Sequence, residues 1–170
     1  MNTRTMLPLR APQLSRGRRR AVYTTGAGIW LTGALWLLLH YFLASDGPFG
    51  PSPHPLEFWS RAAHGAFGFA TLWIFGMLWG AHVVEGWRSR RRRWSGGVAF
   101  GLFAWLVVSG YLLYYLGNDG LISAISLLHW SVGLASPLPF LLHRFAGAVE
   151  KPIHDRGRVE SKARRYDISP

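Results

Sequence analysis

Apolar residues dominate four stretches of this 170-residue chain, and Asp, Glu, Lys and Arg are absent from each: 21–44, 62–84, 95–118 and 120–143. About 20 residues of α-helix cross the hydrocarbon core of a bilayer, so each stretch is predicted to be a membrane-spanning helix. No stretch carries a clean amphipathic stripe, as expected where one face meets lipid and the other meets apolar neighbours. Pro48, Pro51, Pro53 and Pro55 stop a helix between the first two stretches and predict an extended connector. Asn118-Asp119-Gly120 predicts a tight turn that makes spans three and four antiparallel neighbours. The predicted fold class is all-α: an integral membrane four-helix bundle over 21–147, between a flexible basic arm, 1–20, and a flexible charged tail, 148–170.

Charge placement orients this bundle. Lys and Arg number 19 against 8 Asp and Glu, and every basic residue except Arg61 falls in 1–20, 85–94 or 143–170. These segments alternate with those around Asp46 and Asp119, so the positive-inside rule predicts cytoplasmic termini and a cytoplasmic loop carrying Arg88, Arg90, Arg91, Arg92 and Arg93. Orientation and anionic headgroups account for the basic residues, which makes membrane lipid rather than nucleic acid the expected partner. The first apolar run is too long for a signal peptide and has no small-x-small cleavage site at Phe42-Leu43-Ala44, so it is expected to stay as the first span. Trp59, Trp87, Trp94, Trp130, Tyr41, Tyr114 and Tyr115 lie toward run ends and fit an interfacial belt. Gly76/Gly80 and Gly97/Gly101 have the spacing either of close helix packing or of room left for a flat cofactor. The absence of cysteine excludes covalent c-type haem, Cys-ligated iron–sulfur clusters, thiol catalysis and disulfides.

Ionisable groups inside a membrane are costly unless partnered, which makes the histidines the informative polar residues. His64 and His82 lie on span two, 18 residues or five whole turns apart, and therefore on one face. His129 and His143 lie on span four, 14 residues apart, about 40° short of four turns, with Pro137 and Pro139 between them to bend the helix. Spans two and four run in the same direction. Facing each other, they would form two pairs, His64 with His129 in the outer half and His82 with His143 near the inner end, roughly 21–27 Å apart along the axis. Each pair suits one non-covalent haem whose iron takes an imidazole from each helix. An iron with no open axial position favours electron transfer over oxygen binding. Arg61, one turn outward of His64, and Arg144, directly after His143, are candidates for the haem propionates, although both also suit the interface. Packing histidines and a metal-ion transporter are the competing readings, and the second expects carboxylates, which none of the four runs contains. His40 is a rival outer ligand, read instead as interfacial or quinone-contacting.

His-Gly at 64–65, His82, the stretch Ser109-Gly110-Tyr111-Leu112-Leu113-Tyr114-Tyr115, His129-Trp130-Ser131-Val132-Gly133 and His143 resemble the four-helix, di-haem membrane cytochromes b of bacteria. These are the b-type subunits of hydrogenases, formate dehydrogenases and related membrane oxidoreductases. The resemblance covers about residues 21–147, and its most specific part is the 14-residue His spacing on span four. It implies two haems b, a location in the bacterial inner membrane, and electron exchange with the quinone pool or a partner redox subunit. Many relatives place an inner ligand near the start of span one, where this chain has Tyr23, Thr24 and Thr25; His82 would take that role. The 18-residue spacing on span two is about 6 Å longer than that on span four, a mismatch that helix tilt or the Pro137/Pro139 bend must absorb. With no nucleotide motif, the chain is expected to be an electron-transfer subunit rather than an enzyme by itself. His40, Tyr111 and Tyr114 are candidate quinone contacts. A cofactor-free membrane anchor and an ion or metabolite transporter are the alternatives.

Overall fold

The computed structural model describes residues 14–47, 50–88 and 93–149. Helix α1, Arg16–Phe42, is followed by a two-stranded antiparallel hairpin, β1 (Ser45–Gly47) and β2 (Gly50–Ser52). Helix α2, Leu56–Leu78, continues through a π-helical segment, Trp79–Val84, into α3, Glu85–Arg88. Helix α4 is Arg93–Tyr115, α5 is Asp119–Ala135 and α6 is Pro137–Val149. The described chain is thus helical apart from the hairpin and short connectors. Four helical spans are long and apolar enough to cross a membrane: Arg16–Phe42, Leu56–Arg88, Arg93–Tyr115 and Asp119–Phe145.

Local chemistry sets the ends. Ser15 caps α1 by accepting from the Arg18 N–H, and Asn118 caps α5 by accepting from the Leu121 N–H at 3.0 Å. The tight turn predicted at Asn118-Asp119-Gly120 is therefore shifted: Asp119 and Gly120 already belong to α5, and the connector is 116–118. Ser136 separates α5 from α6, and Pro137 opens α6, a first-turn position that needs no N–H donor. The expected bend near the two prolines is thus a break between helices. The proline-rich connector turns back on itself as the hairpin, where Gly50 holds a positive φ of 111° that side chains rarely adopt.

Two boundaries differ from those read off the charge-free runs. Helix α1 begins at Arg16, so Arg16, Arg18, Arg19 and Arg20 lie on its first turns rather than in a flexible arm. Span two begins at Leu56 and ends at Arg88, which makes Glu57 and Glu85 helical and, with Asp119 at the start of span four, corrects the expectation of spans without carboxylates. A charge-free run marks the stretch compatible with lipid, whereas a helix continues until its hydrogen bonding stops. The arm 1–13, the tail 150–170 and Arg90, Arg91 and Arg92 lie outside the described residues.

Helix α1 packs along α2, α4 packs against α5 and α6, and α1 also touches α5. Phe75 and Trp79 of span two meet Phe100 of α4, and Phe75 lies 4.5 Å from Phe103 between ring centres. Span four is tied to span one twice: the Trp30 indole N–H donates to the Leu134 carbonyl, and the Arg144 Nε–H donates to the Tyr23 hydroxyl at 2.9 Å. Among the described residues the buried apolar side chains are Leu39, Ile74 and Leu78, whereas Trp94, Phe69 and Phe42 are at least 78% exposed. Each large apolar side chain left in water forgoes about 1.5–3 kcal/mol of burial. This outward-facing surface is therefore suited to a hydrocarbon solvent. Of the aromatic residues assigned to an interfacial belt, Trp59, Trp87, Trp94, Tyr41, Tyr114 and Tyr115 are exposed, but Trp130 sits half-buried well inside α5.

Candidate functional site

The two histidine pairs predicted from helical phase are brought together. His64 of α2 and His129 of α5 have ring centroids 6.3 Å apart with planes at 82°. His82, inside the π-helical segment, and His143 of α6 have centroids 6.2 Å apart with planes at 85°. The π-helical winding advances slightly less per residue than an α-turn, so its four residues up to His82 shorten the 64–82 interval by only a small part of the spacing mismatch. Such a segment interrupts regular backbone hydrogen bonding, and here the residue it places is a histidine.

Near the hairpin end, hydrogen bonds assign the imidazole tautomers. The His64 Nδ1–H donates to the Ile29 carbonyl at 2.9 Å, and a carbonyl only accepts. Thr32 Oγ1 lies 3.4 Å from the same nitrogen. Ser109, fully buried, spends its hydroxyl proton on the Trp105 carbonyl at 2.7 Å and accepts from the His129 Nδ1–H at 2.8 Å. Both rings therefore present the Nε2 lone pair, the arrangement in which one ring nitrogen is anchored and the other is left to bind a metal. At the opposite end, Ser95 Oγ lies 3.0 Å from His143 Nδ1. Ser109, Ser95 and the Ile29 carbonyl were not singled out as imidazole anchors from sequence. A serine inside an apolar span was the available signal, but only the fold shows which ring it meets.

The spacing suits a metal ion between the rings. Bonds of about 2.0 Å, the usual length from a first-row metal to imidazole nitrogen, with roughly 1.1 Å from each Nε2 to its ring centre, put the centroids about 6 Å apart. Each ring is free to rotate about its metal–nitrogen bond, so the Nδ1 anchors can set the near-perpendicular planes. Among the described residues no group of three or more His, Asp or Glu could hold an ion. A tetrahedral zinc site needs three or four protein ligands. Two imidazoles at this spacing instead suit a metal that brings its own further ligands, as haem iron does.

Glycines shape the pockets around the rings. A Cβ on Gly33 would lie 2.9 Å from His64 Cε1, one on Gly110 would lie 3.4 Å from His129 Cε1, and one on Gly96 would lie 3.7 Å from His143 Cε1. At Gly76, Gly80, Gly97 and Gly101 a Cβ would meet nothing within 4 Å, so these GxxxG positions are open rather than closely packed.

The remaining candidates sit apart from the pairs. Arg61 is exposed on α2, and Arg144 is exposed, bonded to Tyr23 and 5.9 Å from the Phe145 ring centre. Tyr111 and Tyr114 are exposed on α4. His40 does not face His64 or His129: its Nδ1 pairs with Glu57 Oε1 at 3.0 Å, and its ring stacks on Trp36 at 4.7 Å. No protein-family model, curated protein or solved structure matches the chain.

Proposed function

We propose that this chain is a transmembrane electron-transfer protein that binds two haems b, one between His64 and His129 and one between His82 and His143. The observation that carries the reading is the repetition of one geometry at two levels: paired imidazoles with centroids 6.3 and 6.2 Å apart, a separation that one metal ion bound between them would give. Haem supplies one-electron cycling of iron. The protein's part is to fix the two axial imidazoles, exclude further ligands and set the local dielectric. Arg61 and Arg144 are the cations available to propionates at the two levels. The chain works in the bacterial inner membrane, exchanging electrons between the quinone pool and a partner redox subunit, because bis-histidine iron has no open position for a substrate of its own.

Purified protein from haem-replete cells is expected to carry about two haems per chain, extractable by acid acetone, with a b-type reduced-minus-oxidised spectrum. A folded, colourless preparation would overturn the reading and leave a cofactor-free anchor in its place.

The termini and the 85–94 loop face the cytoplasm on this proposal, since the basic residues gather there. A cysteine introduced at Ser89 is expected to be protected from a membrane-impermeant thiol reagent in intact spheroplasts and labelled in inverted vesicles. The reverse pattern would invert the whole assignment.

A further inference from the structure

The two histidine levels are alike in spacing but not in support. At the hairpin end both rings are tied through Nδ1: His64 donates to the Ile29 carbonyl at 2.9 Å and His129 donates to Ser109 Oγ at 2.8 Å. At the opposite end, beside the 85–94 loop, His143 Nδ1 lies 3.0 Å from Ser95 Oγ, whereas among the described residues no hydrogen bond reaches the His82 ring. His82 is also exposed, while His64, His129 and His143 are half-buried. It stands on the π-helical segment Trp79–Val84, where the others stand on α-helix. Segments of this winding recur at functional sites. An acceptor behind a ligating imidazole fixes its orientation and raises its basicity, and loss of such a partner typically costs about 10- to 100-fold in metal affinity. Three rings have that support and one does not, so His82 is the weakest of the four candidate axial ligands.

We propose that His82 is a displaceable ligand, and that the loop-end site takes a small neutral diatomic molecule, such as carbon monoxide, in its place. The inference rests on the haem reading above. The exchange is a substitution: the bond from His82 Nε2 to ferrous iron breaks, a bond from the iron to the carbon of carbon monoxide forms, and no electron or proton is transferred. His143 stays as the opposite ligand, beside Ser95. An exposed ring with no hydrogen bond to break leaves at little cost. The same exchange at the hairpin end requires His64 to give up the Ile29 carbonyl or His129 to give up Ser109, inside a half-buried pair. One level is thereby committed to electron transfer, and the other also binds a gas.

The test is ligand binding rather than turnover. Full-length protein in lipid nanodiscs is reduced anaerobically and titrated with carbon monoxide, and the visible absorption change is followed. It is expected to saturate at about one carbon monoxide per two haems. His143→Ala, which removes the loop-end haem, is expected to abolish the change. Ser109→Ala, which takes away the acceptor behind His129, is expected to raise the carbon monoxide affinity of the hairpin-end haem about 10- to 100-fold and so to add binding there. Absence of binding at saturating carbon monoxide, binding that survives His143→Ala, equal binding at both levels of the unsubstituted protein, or a Ser109→Ala titration identical to it would each overturn the inference. Haem content is measured on the same samples. Two haems that bind no carbon monoxide defeat the displacement of His82 alone, whereas a haem-free chain defeats the electron-transfer reading and this inference with it.

Discussion

Replacing either His64 or His129 with Ala is expected to remove one and the same haem, lowering the content from about two to about one per chain. Each imidazole is half of a two-ligand site, so losing one opens an axial position and forfeits half the protein's hold on the iron. The partner ring stays anchored, His64 on the Ile29 carbonyl and His129 on Ser109, so the fold around the vacated level persists. His82→Ala and His143→Ala are expected to remove the other haem and spare the first. Haem quantitation with redox titration resolves the two centres. His40→Ala is expected to leave both in place, because its ring is committed to Glu57 and Trp36. Loss of a haem in that variant, with His64→Ala silent, would move a ligand to span one.

Gly33→Ala is expected to deplete the same haem as His64→Ala without touching either ligand. The new Cβ would sit 2.9 Å from His64 Cε1, closer than such atoms approach, and 3.1 Å from Nδ1, a tight contact, and the Nδ1 side of the ring is held by the Ile29 carbonyl. Overpacking of this kind costs about 1–3 kcal/mol, and a ring displaced by a few tenths of an ångström loses its aim at the metal. Gly17→Ala is the control: a Cβ there meets nothing within 4 Å, and alanine in an exposed helix is favoured over glycine by about 0.5–1 kcal/mol. Equal haem content in the two variants would show that the His64 ring is not confined by Gly33.

Much of this was legible in the chain. Four charge-free runs placed the four spans because a bilayer-length helix demands an unbroken apolar stretch, a property of composition that needs no knowledge of neighbours. The histidine pairing was legible for a related reason: helical phase is a local rule, and in ideal helices intervals of 18 and 14 residues return to nearly one face, although here the first runs into a π-helical segment and the second crosses the break at Ser136. What local rules could not supply was the contact across helices. That Ser109 accepts from His129, that the Ile29 carbonyl accepts from His64 and that Gly33 abuts the same ring depend on which helix stands beside which. The π-helical segment around His82 was hidden too, since a change of winding is chosen by packing and not by the residues' own preferences. Glu57 is the clearest case. It lies beside the proline-rich connector and outside the charge-free run 62–84, yet the backbone is already helical there and neighbouring side chains bury the carboxylate against His40. Sequence determined the apolar lengths, because they are a property of composition along one span, and pointed to the histidine pairs through ideal helical phase; tertiary structure alone decided the anchors, the ring clearances and the burial of Glu57, because each requires atoms from two helices to meet.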